Sequence, residues 1–312
     1  MRIVFMGTPE FAVPSLKALF EMENVEVVGV FTQPDRPVGR GHKVEVTPVK
    51  REAEARGVPV FQFERVRKQE GLDTMRSLKP DIVVTAAFGQ ILSKKLLEVP
   101  RLGTVNVHAS LLPKHRGSAP INWSIIQGEK VTGVTTMLTD VGLDTGDMLL
   151  KREVEIGDSE TAGQLTERLS YVGAALLKET LPAYWEGRIT PVPQKEEEMT
   201  YDPMLSKELG KIDWTKHAQE IDCLVRGVNP WPGAFSKING EVVKVWLAKK
   251  CERTTQETPG TVIAASAKEG LIVACGNGET IEIIEMQAPN AKRMTAKAYL
   301  SGKKLGARFD EE

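Results

Sequence analysis

The strongest constraint on the fold is an alternation, along the first half of the chain, of short apolar runs with stretches of helical periodicity. Residues 2–6 read as a buried strand. A turn at Gly7-Thr8-Pro9 leads into a helix through Met22, and residues 26–32 form a second strand. A helix at 49–56, a short strand at 58–61 and apolar strands at 81–87 and 103–108 continue the pattern. Such alternation argues for a parallel sheet with helices on both faces. Sheets of this kind bind ligands at the carboxyl ends of their strands, so that edge is where chemistry is expected.

Residues 131–138 and 148–156 read as a strand pair flanking a loop rich in glycine and aspartate. Thr161 and Gln164 fit a capping box, and Leu165, Leu169, Val172 and Leu176 recur at helical spacing in a helix ending near Trp185. Pro191, Pro193 and three successive glutamates, Glu196 to Glu198, then suit an exposed linker. Beyond it, one helical stretch at 217–225 is followed by β-rich runs at 242–247, 261–265, 270–274 and 280–285. Asn239-Gly240 and Asn277-Gly278 are hairpin signals, and a small β-barrel is the expectation. The reading is therefore a doubly wound, mostly parallel α/β domain over 1–188, a linker over 189–204 and a β-barrel domain over 205–312.

The length of 312 residues suits two domains, and a formal net charge of −1 requires any nucleic-acid contact to come from a local patch. Three widely spaced cysteines read as reduced thiols, not a disulfide framework or zinc site. The apolar run at the N-terminus is too short for a signal peptide, and no run of about 18 apolar residues exists. A cytoplasmic protein with no membrane contact is expected, a monomer by default.

The densest block of candidates is Asn106-Val107-His108-Ala109-Ser110-Leu111-Leu112-Pro113-Lys114-His115-Arg116-Gly117. Asn106 and His108 are two apart on a strand and share a face. An asparagine amide can stabilise an oxyanion, and a histidine titrates near working pH. A second segment, Asp140 to Asp147, places three acids and two glycines in eight positions. One of these acids beside His108 would orient the imidazole. A histidine at a strand end can equally be structural, and an Asp/Gly loop can be only a turn. The scattered histidines and absence of a paired ligand motif argue against a metal. Spacing alone supports a small-molecule transferase or hydrolase.

The stretch from Asn106 to Gly117, together with Leu143-Asp144-Thr145-Gly146-Asp147, resembles the folate-dependent formyltransferase superfamily. Phe5-Met6-Gly7-Thr8-Pro9-Glu10-Phe11-Ala12, Thr32-Gln33-Pro34-Asp35-Arg36-Pro37 and Asn229-Pro230-Trp231-Pro232-Gly233-Ala234 narrow it to the members that act on charged tRNA. The resemblance implies 10-formyltetrahydrofolate as formyl donor and the α-amine of methionyl initiator tRNA as acceptor, with no metal. It implies that Asn106 hydrogen-bonds the formyl oxygen, that His108 shares that duty and assists proton transfer, and that Asp144 pairs with His108. Ser110, Leu111, Leu112 and Pro113 would line the folate pocket, and Phe88, Gly89 and Gln90 would contact the pterin.

Residues 33–48 are long for a strand-to-helix connection and carry Arg36, Arg40, His42 and Lys43 with few acids. Without the resemblance this is a surface loop with incidental charge. With it, the loop is expected to enter the tRNA acceptor end, Arg40 foremost. The C-terminal domain resembles an oligonucleotide-binding barrel.

Overall fold

The computed structural model describes residues 1–38, 43–302 and 305–310. In chain order the first elements are β1 (Arg2–Gly7), α1 (Val13–Glu21), β2 (Glu26–Thr32), β3 (Arg36–Val38), β4 (Lys43–Glu45), α2 (Pro48–Ala55) and β5 (Val60–Gln62). Then come α3 (Gln69–Leu78), β6 (Ile82–Ala86), α4 (Lys94–Leu97), β7 (Thr104–His108), β8 (Arg116–Gly117), α5 (Pro120–Ile126), β9 (Val131–Leu138) and β10 (Met148–Glu155). α6 (Ala162–Trp185), β11 (Tyr201–Asp202), α7 (Ala218–Gly227), β12 (Ala234–Ile238) and β13 (Glu241–Cys251) follow. The chain ends with β14 (Val262–Ser266), β15 (Gly270–Ala274), β16 (Thr280–Gln287), β17 (Met294–Thr295) and α8 (Ala296–Leu300).

The chain divides into two compact units, the first comprising Met1–Gly117, Val131–Glu155 and Thr166–Asp202. Its sheet has the order β10-β9-β7-β6-β1-β2-β5, parallel except that β9 runs against its neighbours. β6 is buried along its whole length, as expected of a strand covered on both faces, whereas the edge strand β10 is largely exposed beyond Leu150. Gly173 of α6 lies so close to β7 that an added Cβ would sit 2.7 Å from Val107 Cγ1. α6 therefore covers the Val107 face. Asn106 and His108, one residue out of phase on the same strand, belong to the opposite face.

α3 was not legible in the sequence. It carries Gly71 within its first turn, a residue that ordinarily weakens a helical reading. Here a Cβ at Gly71 would fall 2.1 Å from the carbonyl oxygen of Val66, so the glycine permits a close approach. The connection 33–48, read as a loop, instead contains the antiparallel pair β3 and β4.

The second unit comprises Ser118–Lys130, Ile156–Leu165 and Pro203–Glu312. Its antiparallel sheet has the order β12-β13-β16-β15-β14, with β17 added to β16. Both edges are taken up by the C-terminal residues. Asp310 N donates to Lys237 O next to β12, and Phe309 N donates to Gly260 O while Val262 N donates to Ala307 O beside β14. The sheet is thereby nearly closed on itself, which removes exposed edges. α7 packs Ile221 and Val225 on Val243, Val245, Ile281 and Ile283. Asn239 and Gly240 both have positive φ (50° and 76°), as do Asn277 and Gly278 (56° and 70°). These are the two tight turns expected of Asn-Gly pairs.

Candidate active site

The site is built at the ends of β6 and β7, with the loop that follows β9 folded back to His108. β7 pairs Asn106 with Thr85 on β6 and His108 with Thr135 on β9. The Thr85 hydroxyl donates to Asn106 Oδ1 at 2.8 Å. With its oxygen engaged, the half-buried Asn106 amide presents its N–H groups, for which no partner is recorded among the described residues. His108 is buried, and its Nε2 lies 3.0 Å from the carbonyl oxygen of His115. A carbonyl only accepts, so Nε2 carries hydrogen. Nδ1 is then the atom left to take or give a proton, and it faces Asp144 Oδ1 at 3.7 Å. The three residues expected to form the centre are thus brought together, although His108 and Asp144 stand slightly beyond hydrogen-bond length.

Asp144 sits at φ 54° in the loop between β9 and β10, and its Oδ2 accepts from Gly117 N at 2.9 Å. The loop is shaped by Asp140, whose Oδ1 accepts from Gly142 N and the Thr145 hydroxyl. Gly146 is required there, since a Cβ would meet Leu138 O at 1.8 Å.

Ser110 and Leu112 are fully buried, so side-chain contact from this segment falls to the half-buried Leu111. Ser110 Oγ donates to Lys114 O, Thr135 Oγ1 donates to Ser110 O, and Leu112 N donates to Thr135 Oγ1. The Leu112–Pro113 peptide is cis, and the Lys151 ammonium donates to Leu112 O. Burial pushes the Lys151 amine below its ordinary value, with Glu198 opposing. Phe88 has its ring in the core beside Met6 and Phe31, and its carbonyl accepts from the Thr8 hydroxyl. Gly89 (φ 80°) accepts at its carbonyl from Gln33 Nε2. The Gln90 amide joins Val66 N, Phe63 O and Gln33 Oε1. What these three residues offer a ligand is mostly backbone.

In the basic hairpin Arg36 pairs with Glu64 at 2.6 Å, and Lys43 belongs to β4. Arg40 and His42 lie outside the described residues. At its base Lys50 binds both Asp35 (2.6 Å) and Gln62. Burial raises the Asp35 carboxyl, but the hydrogen bonds from Lys50 and Gln62 outweigh it and leave the group below its usual range. In the second unit Trp214 is buried and donates to Ser236 Oγ. The Trp246 ring is flanked by Lys244 and Arg293 at 5.2 and 5.3 Å, and Trp231 is half exposed.

The sequence reading missed two supports of the centre. Thr85 had a usable signal, a polar residue near the end of a neighbouring apolar strand. The other is the segment 192–202, whose hydrogen bonds to Arg116, His115 and the Asp144 loop have no local signature.

An amide donor and an imidazole–carboxylate pair, gathered at the carboxyl edge of a Rossmann-like sheet, define the class: an enzyme that transfers an acyl-type group through a carbonyl whose oxygen gathers charge. The chain belongs to the formyl transferase family. Residues 1–181 match the model for Formyl transferase and residues 204–304 that for Formyl transferase, C-terminal domain. It is 50% identical over 307 residues to the methionyl-tRNA formyltransferase of Acetivibrio thermocellus, covering 98% of each chain. With that of Alkaliphilus oremlandii it shares 51% over 302 residues, covering 97% of this chain and 96% of the other. The fold is also that of an N-formyltransferase from Helicobacter canadensis solved with folinic acid and dTDP-3-aminofucose (TM-score 0.68, 19% identity, 94% and 99% covered). HypX from Aquifex aeolicus in complex with tetrahydrofolic acid shares it too (TM-score 0.62, 19% identity), this chain spanning 47% of that one.

Proposed function

We propose that the protein transfers the formyl group of 10-formyltetrahydrofolate to the α-amine of methionyl initiator tRNA in the cytoplasm. The observation that carries the reading is the grouping of Asn106, His108 and Asp144, with the Asn106 oxygen held by Thr85 and its nitrogen open. The near-full-length identity to methionyl-tRNA formyltransferases supports the choice of acceptor. No helix of the described residues is long and apolar enough to cross a membrane.

The chemistry follows from the groups present. An α-amine titrates near pH 8, so much of it is already neutral and needs little activation. Its lone pair forms the new C–N bond at the formyl carbon, and the old bond to the donor nitrogen breaks. Asn106 N–H donates to the formyl oxygen as charge develops there. His108 Nδ1, beside the Asp144 carboxylate, takes the proton lost by the amine and returns it to the leaving nitrogen. Backbone groups of 88–90 and the half-buried Leu111 would bind the folate. Arg36, Arg40, His42 and Lys43 would meet the tRNA end.

The test is formyl transfer from 10-formyltetrahydrofolate to methionyl initiator tRNA, with a small amine as competing acceptor. Transfer to the tRNA with little to the small amine is expected. Equal transfer to both would move the assignment to a small-acceptor enzyme.

A further inference from the structure

We propose that residues 192–202 form a positioning strap for the catalytic centre, with Gln194 acting on Asp144 and Asp202 acting on His108. The inference rests on the function proposed above. The segment lies between the two matched family regions, which end at 181 and resume at 204.

Its composition is that of an exposed linker, yet its polar groups are spent on the site. Val192 exchanges both backbone hydrogen bonds with Met148, at the end of the Asp144 loop. The Gln194 amide is fully used: Nε2 donates to Asp144 O (2.7 Å) and Gly146 O (2.8 Å), and Oε1 accepts from Arg116 Nε (3.0 Å). One side chain thus ties the Asp144 loop to the loop after β7. Glu196 takes both Arg116 terminal nitrogens at 2.8 and 3.1 Å, and Arg116 is itself buried. Thr200 accepts Arg116 N at its carbonyl and His115 N at its hydroxyl. Asp202, 1% exposed, binds His115 Nδ1 at 2.8 Å. The carbonyl of that same His115 meets His108 Nε2.

Asp144 and His108 therefore do not set their own separation. Each is held by a neighbour that the strap holds. A buried polar pair such as His115–Asp202 is weak evidence for stability, because desolvation offsets much of its attraction. Its effect falls instead on where the His115 carbonyl lies. A displacement of about 1 Å at a catalytic group can cost about 100-fold in rate.

The experiment compares the full chain with Gln194→Ala, Asp202→Asn and Asp202→Ala, reading kcat, KM for methionyl initiator tRNA and thermal melting. Each substitution is repeated in His108→Ala and Asp144→Ala backgrounds. Expected are kcat losses of about 10- to 100-fold for Gln194→Ala and Asp202→Ala, with KM within about 2-fold. Asp202→Asn keeps an acceptor for His115 and recovers part of the loss. Strap and triad losses should be strongly non-additive, since the strap acts through the triad. Unchanged kcat, full additivity with the triad variants, or loss of folding by both Gln194→Ala and Asp202→Asn would each overturn the inference. If the unaltered enzyme transfers no formyl group to this tRNA, the functional reading fails and the inference with it. Normal transfer by enzyme and variants alike overturns the inference alone.

Discussion

Replacing Thr85 by valine tests whether Asn106 works because its amide is held with the nitrogen outward. The two side chains have nearly the same shape, and Thr85 is buried in β6, so the change removes a hydroxyl and little else. Among the described residues that hydroxyl has one partner, Asn106 Oδ1 at 2.8 Å. A neutral hydrogen bond of this kind contributes about 0.5–1.5 kcal/mol net. If that free energy sets the bias toward the productive amide orientation, its loss lowers kcat by about 2- to 13-fold. Losing the donor altogether, as in Asn106→Ala, costs about 100- to 1,000-fold. Single-turnover transfer with saturating donor and tRNA reads both effects, with thermal melting as control. In Asn106→Ala enzyme, adding Thr85→Val should change nothing further, because there is no amide left to orient. Full activity in Thr85→Val would refute the reasoning. So would a loss that persists undiminished on top of Asn106→Ala.

His108→Ala is expected to lose at least about 100-fold in kcat while remaining folded, checked by transfer rate and circular dichroism. Gly117 has φ 118°, and a Cβ there would lie 2.3 Å from Asp202 O. Gly117→Ala should destabilise the fold by about 1–3 kcal/mol and abolish turnover, as melting and rate assays will show. Hydrogen bonds from Arg116 hold the Glu196 carboxyl below its usual range, and those from Lys50 and Gln62 do the same for Asp35 against burial. Groups with lowered values stabilise the fold above their unfolded pKa, about 4, and lose that contribution as pH falls through the folded value. Lys50→Met should therefore lower the melting temperature most above about pH 5, and the gap to the unaltered protein should narrow as pH falls below about 4. Arg40→Ala should raise KM for tRNA and reduce the salt dependence of binding by about one contact, leaving folate binding unchanged.

Local pattern carried much of the fold. Continuous apolar runs marked β1 and β6, because a strand buried on both faces has no polar face to show. Leucine spacing marked α6, and Asn-Gly marked two turns. β12, hidden behind the prolines of 229–233, gave no comparable signal, and Gly71 masked α3. Asn106 and His108 were legible as a pair because they share one strand face, whereas Asp144 was singled out within its Asp/Gly loop only by the family resemblance. The supports were not legible. Thr85 and Asn106 meet across a gap of 21 residues and His115 and Asp202 across 87. Nothing in the composition of 192–202 says which of its polar groups turn inward. The Phe88 segment shows the converse: its position after β6 suggested pterin contact, while its ring is spent on the core and its carbonyl on Thr8.

Backbone conformation ties these observations to one cause. Asn24, Asn239, Asn277 and Asn290 take positive φ as asparagines in turns commonly do. Ala87, His115 and Asp144 take it as well, at 44°, 59° and 54°, and each follows the end of β6, β7 or β9. For such residues the conformation costs about 1–3 kcal/mol each and persists only where surroundings over-determine it. At His115 the turn brings the carbonyl to His108. At Asp144 it sets one carboxylate oxygen against Gly117 N and leaves the other toward His108 Nδ1. Hydrogen bonds from the strap, each about 0.5–1.5 kcal/mol net, are of the size needed to offset that strain. A formyl group that arrives already activated asks little of a base and much of placement. A site with two strained loops cross-tied by a distant segment suits that demand better than a more reactive side chain would.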